Sequence, residues 1–170
     1  MNRSKKINGL LLTLCIISVF IFAGCGEEKS GNTISEPEIT GKYLKEEYSQ
    51  QLLTDGAETM IGTVDIEKKD DNYKVTVTEK EVVPNSSYNE GYYIADTNLV
   101  TDLTLGLDAR IASLEDGKLV VESADEFIKS KAEHKDQLFT VYMMGTSAEL
   151  IIGTDPADVM RDCEEKSVNK

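Results

Sequence analysis

The chain has 170 residues, with 31 acidic and 18 basic side chains and a formal net charge of −13. Its 40% apolar content is ordinary for one globular domain and too high for a wholly disordered chain. Because an acidic protein repels nucleic-acid phosphates and anionic lipid headgroups, the charge argues against nucleic acid as a partner and against membrane contact through a basic surface.

The N-terminus carries a targeting pattern. Three basic residues, Arg3, Lys5 and Lys6, precede an apolar run from Gly9 to Phe22, which is the order found in signal peptides. At roughly 1.5 Å per residue, this run would span only about 20 Å as a helix, less than the ~30 Å hydrocarbon core of a bilayer. A signal peptide over residues 1–24 is therefore predicted in preference to a permanent transmembrane helix.

The apolar run ends in a motif that predicts a lipid anchor. Phe22-Ala23-Gly24-Cys25 resembles the lipobox of bacterial lipoprotein precursors, with Phe22 where leucine is usual. The resemblance reaches only as far as Cys25. It implies cleavage between Gly24 and Cys25, attachment of fatty acyl chains such as palmitate through the Cys25 sulfur, and a cell-membrane anchor facing outside the cytoplasm. An ordinary signal peptide that leaves Cys25 as a free thiol is the alternative.

Removal of the signal peptide changes the charge and the cysteine content. The mature chain keeps 15 basic and 31 acidic residues, so its net charge is 15 − 31 = −16. Cys15 is lost with the signal peptide and Cys25 is the lipid acceptor, which leaves Cys163 as the only free thiol. One cysteine builds neither a disulfide framework nor a zinc site.

Composition divides the mature chain into a tether, a domain and a tail. Residues 26–38 contain one aliphatic side chain, Ile34, among glycines, serines and acids. This composition predicts a flexible polar tether over residues 25–40, beginning at the lipidated cysteine. Residues 41–160 carry the apolar patterns of an acidic, β-rich globular domain, and residues 161–170 form a polar C-terminal tail.

The domain opens with a predicted helix and continues mainly in strands. Leu44, Tyr48 and Leu52 recur every fourth residue, which predicts a short amphipathic helix. Alternation over residues 73–78, after turn-forming residues 69–72, predicts a hairpin with residues 60–66. Further short strands are predicted at 82–83, 92–95, 99–105, 109–114, 118–121, 138–144 and 148–152.

Two more helices interrupt or follow the strands. Ser123 and Glu126 have the spacing of a capping box, and Asp155 and Pro156 suit the cap and first position of a last helix. Short strands separated by turn residues predict a mainly β domain, either a small antiparallel barrel or a curled meander sheet, with two or three short helices. Gly41-Lys42-Tyr43 is loosely similar to the start of lipocalin-like barrels.

Few residues are candidates for catalysis or metal binding. His134, the only histidine, is predicted to be exposed at the end of a short helix without a nucleophile motif nearby. Cys163 lies among acids, which disfavour the thiolate. Asp96, Asn98 and Asp102 lack the spacing of an EF-hand, so turn formation is favoured over calcium binding. No catalytic residue, cofactor or metal is therefore assigned, and the domain is predicted not to be an enzyme.

Three tyrosines are the candidate binding residues. Tyr88, Tyr92 and Tyr93 lie close together in the sequence, and adjacent strand residues point to opposite faces, so at most one of Tyr92 and Tyr93 faces the core. An exposed tyrosine in a polar loop can anchor a partner or ligand. The alternative is that all three fill a small core.

Two functions remain open after these observations. The first is a monomeric, non-catalytic domain that binds an unknown envelope protein or cell-wall component. The second is a lipocalin-like carrier that holds a small apolar ligand inside a barrel, and an enzyme of unknown type ranks third. A filled interior would favour the interaction domain, whereas a wide apolar cavity would favour the carrier.

Overall fold

A computed structural model describes residues 39–161 of the chain. The predicted signal peptide, the Cys25 anchor, residues 25–38 of the tether, Cys163 and residues 162–170 lie outside the described residues. Strands dominate the described range, so the predicted mainly β class with short helices is confirmed. Over residues 39–161, no helix combines the length and apolarity that crossing a membrane requires.

Helical structure opens the domain where the apolar spacing predicted it. α1 (Gly41–Tyr43), a π-helical turn (Leu44–Tyr48) and α2 (Ser49–Thr54) follow one another directly. The Tyr43 N–H donates a 3.2 Å hydrogen bond to the Thr40 hydroxyl, which caps the first turn. Leu44 and Leu52 are buried, as the four-residue spacing requires for an amphipathic helix.

The later helices begin at the predicted caps. At the start of α3 (Ala124–Lys129), the Ser123 N–H donates to the Glu126 carboxylate at 2.8 Å and the Glu126 N–H donates to the Ser123 hydroxyl at 3.3 Å. The capping box is therefore confirmed. α4 (Lys131–His134) follows, and α5 covers residues 156–161. A 2.9 Å hydrogen bond from the Ala157 N–H to Asp155 Oδ1 caps α5 as predicted.

Six strands form one sheet that closes on itself. They are β1 (Glu58–Lys69), β2 (Asn72–Pro84), β3 (Tyr92–Glu115), β4 (Lys118–Glu122), β5 (Phe139–Met144) and β6 (Ser147–Gly153). Their order is β2-β1-β5-β6-β3-β4, and an additional pairing of β2 with β3 joins five of them in a barrel-like ring. β4 pairs only with the C-terminal end of β3, outside this ring. β3 and β6 run parallel while the other pairs are antiparallel, so the sheet is mixed rather than wholly antiparallel.

Turn residues with positive φ connect the paired strands of two hairpins. β1 and β2 are joined at Asp70, whose φ of 51° is in the left-handed region, and their register is antiparallel as predicted. β3 and β4 are joined through Asp116 and Gly117, with φ values of 47° and 75°. Positive φ at both central residues is the requirement of a type I′ turn, which matches the right-handed twist of the flanking strands.

β3 corrects one prediction. Residues 92–95, 99–105 and 109–114 are not three strands but parts of a single strand of 24 residues. The strand bends at Asn98, whose φ is 61°, and its register shifts against both β2 and β6, but it does not end there. β3 instead changes partners along its length, from β2 to β6 and β4.

Side chains fill the interior of the ring. Buried residues of β1, β2, β3, β5 and β6 form one cluster, which Phe127 of α3 joins; it includes Ile66, Val75, Val77, Leu103, Phe139, Val141 and Ile151. A second cluster lies on the other face of the sheet, where Leu44 and Leu52 pack against Ala112, Leu150 and Ile152. β6 is thus buried on both faces, which explains its nearly continuous apolar sequence.

We expect Gly62→Ala to lower the free energy of unfolding by about 1–3 kcal/mol, the usual cost of overpacking a tight site. Gly62 pairs with Phe139 of β5 on one side and Glu79 of β2 on the other. A Cβ at this position would clash with the Thr78 carbonyl oxygen. Urea denaturation followed by circular dichroism measures the effect. Thr59→Ala, on the exposed part of the same strand, is the control, and equal stability of the two variants would contradict the prediction.

Candidate binding surface

The β2–β3 hairpin continues past the point where β1 stops pairing with β2. That pairing ends at Glu79, whereas residues 80–84 of β2 remain paired with residues 92–96 of β3. The loop between the strands is closed by a 2.7 Å hydrogen bond from the Asn85 N–H to the Gly91 carbonyl. We call residues 80–97 the hairpin arm.

The hairpin arm brings two of the three candidate tyrosines together. Tyr88 is 51% exposed and Tyr93 is 37% exposed, and their rings stack with centroids 5.5 Å apart and an interplanar angle of 29°. Tyr92 is partly buried and lies on the opposite face of the strand, as alternation predicts. Tyr88 and Tyr93 therefore form an exposed aromatic pair, and Tyr92 is separate from it.

Exposed aliphatic side chains follow along β3. Ile94, Leu99 and Val100 are large apolar residues with exposed fractions of 44%, 57% and 62%. The sequence predicted strands over these residues but did not predict their exposure. For Leu99 and Val100 the reason is Asn98, whose left-handed φ interrupts the alternation, so two consecutive residues after it are solvent-exposed. An asparagine between apolar strand residues was the available signal.

The chain segment that carries these exposed apolar residues is acidic. Residues 79–102 contain one basic residue, Lys80, and five acidic ones, which gives 1 − 5 = −4; the acids are Glu79, Glu81, Glu90, Asp96 and Asp102. Lys80 pairs with Asp96. Glu81 and Glu90 are exposed and have no ion pair among the described residues. The exposed apolar residues thus lie in a segment in which some of the negative charge is uncompensated.

Asp102 is held as a carboxylate by its neighbours on β2. Lys74 Nζ lies 2.8 Å from one carboxylate oxygen, and the Thr76 hydroxyl donates to the other at 2.9 Å. The hydrogen bond from Lys74, followed by that from Thr76, lowers the pKa of Asp102 below its ordinary value. With Asp96 paired to Lys80 and Asp102 paired to Lys74, these two carboxylates face separate cations. Across residues 39–161, no group of three histidine, cysteine or acidic residues is placed to hold a metal ion.

His134 is buried, and the prediction that it is exposed is wrong. Only 4% of the residue is accessible. Its ring stacks on Phe127 with centroids 4.8 Å apart and meets the edge of Phe139 at 6.2 Å. The charged residues next to His134 in the sequence predicted exposure. The ring instead packs against Phe127 of the preceding helix, α3, and Phe139 of β5.

Hydrogen bonds fix the orientation of the buried ring. His134 Nδ1 lies 3.2 Å from Gln137 Oε1, and the Gln137 amide nitrogen donates to the Leu114 carbonyl at 3.0 Å. Because the Gln137 oxygen is then the acceptor, Nδ1 of His134 carries a hydrogen. Nε2 lies 3.0 Å from the Ser130 hydroxyl and 3.5 Å from Glu122 Oε1, on a side chain that is 11% exposed. The network joins α4 to β3, β4 and the end of α3.

Ser130 and His134 are the kind of pair that nucleophilic catalysis uses. In this protein the Ser130 hydroxyl also lies 2.9 Å from the Glu126 carbonyl, one turn back in α3, and Phe127 covers the imidazole. The pair therefore links α4 to the end of α3, and only 4% of His134 is accessible. The geometry assigns it a role in stabilising the fold.

A groove of about 530 Å³ lies outside the ring. α2 and α5 border it, and its floor is the outer face of β1, β5 and β6, including Ile61, Tyr142 and Ile152. At its rim, Lys45 pairs with Asp158 at 2.7 Å, and the hydrogen bond from Lys45 lowers the pKa of Asp158. This groove has a lining of mixed polarity, in contrast to the filled apolar interior.

The described residues thus offer one exposed segment with the composition of a recognition site. An exposed stacked tyrosine pair and three exposed aliphatic residues lie on one hairpin and the strand that continues it, with Ile94 on the opposite face of β3 from Tyr93. Such a segment can bury apolar area against a partner while its acids select for positive charge. In comparisons with known proteins, no family model, no curated protein and no solved structure matches the chain.

Proposed function

We propose that the protein is a lipid-anchored, extracytoplasmic lipoprotein whose non-catalytic domain binds an envelope protein or cell-wall component through the hairpin arm. The observation that carries the proposal is the stacked, exposed pair of Tyr88 and Tyr93. Membrane attachment rests on the lipobox at Phe22-Ala23-Gly24-Cys25.

The tyrosine pair has the properties of an interaction anchor. Stacking restricts both rings before a partner arrives, which reduces the conformational entropy lost on binding. Tyrosine combines a large apolar area with a hydroxyl that remains solvated, and for this reason it is enriched among residues that dominate binding energy. Two large rings that contact each other and remain exposed provide apolar area of the kind that interaction sites use.

The interior of the ring favours this function over the carrier. A carrier needs open apolar volume, whereas the inner positions of the five ring strands are packed against one another and against Phe127. The open groove lies on the outer face and is partly polar. Anchoring an interaction domain near the membrane requires no interior space.

Site-directed crosslinking in cells tests the proposal. We expect a photoreactive phenylalanine analogue at Tyr88 or Tyr93 to yield a discrete adduct with an envelope component. The matched control is the same analogue at Asp71, an exposed position at the tip of the β1–β2 hairpin. Leu99→Asp should reduce the Tyr88 adduct by about tenfold, since loss of one well-packed apolar contact costs at least 1–2 kcal/mol. Equal adduct formation at Asp71 and Tyr88 would contradict the proposed surface.

A further inference from the structure

β3 has one side without a backbone partner over half of its length. At Thr104 the strand is paired on both sides, with Lys74 of β2 and with Ser147 of β6. On the β2 side, residues 92–96 and 100–104 of β3 are paired, and residues 97–99 lie at the register shift between them. On the β6 side, none of the described residues pairs with residues 92–103. Alternate N–H and C=O groups of this segment are therefore available to another strand.

The open position lies in line with β6. β6 begins at Ser147, immediately after the turn at Gly145, whose φ is 62°. Beyond that turn β3 continues, but no described strand lies beside it on the β6 side. Asn98 interrupts the regular strand conformation, and the Leu99 N–H already donates to the Thr97 hydroxyl at 3.2 Å. The seat for an added strand is therefore Leu99–Leu103 without the Leu99 N–H, directly adjoining the β6 pairing. We call these five residues the edge seat.

The side chains of the edge seat indicate the chemistry of its occupant. Leu99 and Val100 are more than half exposed, and cross-strand contacts with apolar residues would cover them. The surrounding segment, residues 79–102 together with Lys74, which pairs with Asp102, carries a net charge of 2 − 5 = −3. A complementary strand therefore combines apolar side chains with lysine or arginine. A second copy of this chain would bring the same acids to the same place, and repulsion opposes that pairing.

We propose that the edge seat accepts an extended basic and apolar segment of a partner protein, which adds a strand to the sheet beside β3. Main-chain hydrogen bonds along Leu99–Leu103 supply affinity, while the acids around the seat select lysine or arginine, as in other cases of strand addition. The inference rests on the proposed function and specifies the mode of binding and the class of partner.

A synthetic peptide of alternating lysine and valine, seven residues long with blocked ends, is the probe. It is titrated against the full mature lipoprotein in neutral detergent. We expect it to bind about tenfold more tightly than either of two control peptides. The first alternates glutamate and valine and carries the unfavourable charge. The second is a lysine–valine peptide with proline at its centre, which cannot complete the hydrogen-bond ladder. Hydrogen exchange read by mass spectrometry should show new protection within residues 99–103 on binding.

Two variants separate the edge seat from general charge effects. Val100→Lys places a cation in the seat and should weaken peptide binding about tenfold. Leu107→Lys makes the same charge change at a fully exposed site on the same strand and should leave the affinity within about twofold. Equal binding of the proline peptide, equal effects of the two variants, or no protection within residues 99–103 would overturn the inference. So would concentration-dependent protection of those residues without peptide, which would identify a second copy as the occupant.

The peptide and crosslinking experiments can fail independently. Crosslinks at Tyr88 and Tyr93 without peptide binding would retain the hairpin arm as a partner surface and overturn strand addition alone. Absence of both would overturn the proposed function as well.

Discussion

Replacing Cys25 with alanine is expected to move the protein from the detergent phase to the aqueous phase in a phase-partitioning experiment. In the proposed anchor the Cys25 thiol is the acceptor for the acyl chains. Each buried methylene contributes about 0.8 kcal/mol, so two or three chains anchor stably, whereas a variant without them has no lipid anchor. In the part of the chain that the structure describes, no helix is suited to span a membrane in their place. The expected change in partitioning is therefore several orders of magnitude.

Cys15→Ala is the matched control for the anchor. It makes the same substitution inside the apolar run that the lipobox assigns to the discarded signal peptide, so partitioning should equal that of the wild type. The intact mass should show loss of residues 1–24 and added lipid in the wild type and in Cys15→Ala. If the intact mass of the wild type shows no added lipid and retains residues 1–24, the uncleaved apolar run holds the protein and the lipid anchor is wrong.

Phe127→Ala is expected to lower the free energy of unfolding by about 3–5 kcal/mol, the usual range for truncating a buried phenylalanine. Phe127 is 1% exposed and contacts both His134 and Phe139. Its removal leaves a cavity where α3 covers the interior of the ring. Since small domains are stable by only about 5–15 kcal/mol, the loss should be visible as a large fall in the urea midpoint.

Leu107→Ala is the control for apolar truncation without burial. Leu107 is fully exposed, and surface substitutions change the free energy of unfolding by about 0.5 kcal/mol or less. Phe127→Leu should fall between the two because it retains part of the buried volume. Equal stabilities of Phe127→Ala and Leu107→Ala would mean that α3 does not contribute to the core of the ring.

Local sequence signals predicted the local structure well. The helical stretch after Thr40 follows from apolar residues at four-residue spacing, and the start of α3 follows from Ser123 and Glu126. The turn at Asp116 and Gly117 follows from the preference of these residues for positive φ. Each of these features depends on residues within one or two turns of chain, so one sequence contains the necessary information.

Long-range pairing could not be predicted in the same way. The continuity of β3 depends on partners as distant as Lys74 and Ile151, and no local pattern identifies them. The burial of His134 depends on Phe139, which lies on another element. Ring closure by β2 and β3 is likewise a property of the whole sheet.

The candidate surface was partly predictable for the same reason. Tyr88, Tyr92 and Tyr93 stood out by composition, and alternation separated Tyr92 from Tyr93. The stacking of Tyr88 on Tyr93 requires the return of the chain through the loop of the hairpin arm. The exposure of Leu99 and Val100 depends on the conformation of a single residue, Asn98.

The continuity of β3 has a mechanical consequence. The strand that carries Tyr93 in the hairpin arm is also the strand that closes the ring with β2 and β6. A partner that pulls on the arm along the strand axis would load these ladders in shear, so many hydrogen bonds would have to break together. Because β2 and β3 are joined at the loop of the arm, the tension would pass to the β1–β2 and β3–β6 pairings and would not unzip the hairpin one bond at a time. A domain held at one end by lipid and at the other by a partner would resist force through its sheet.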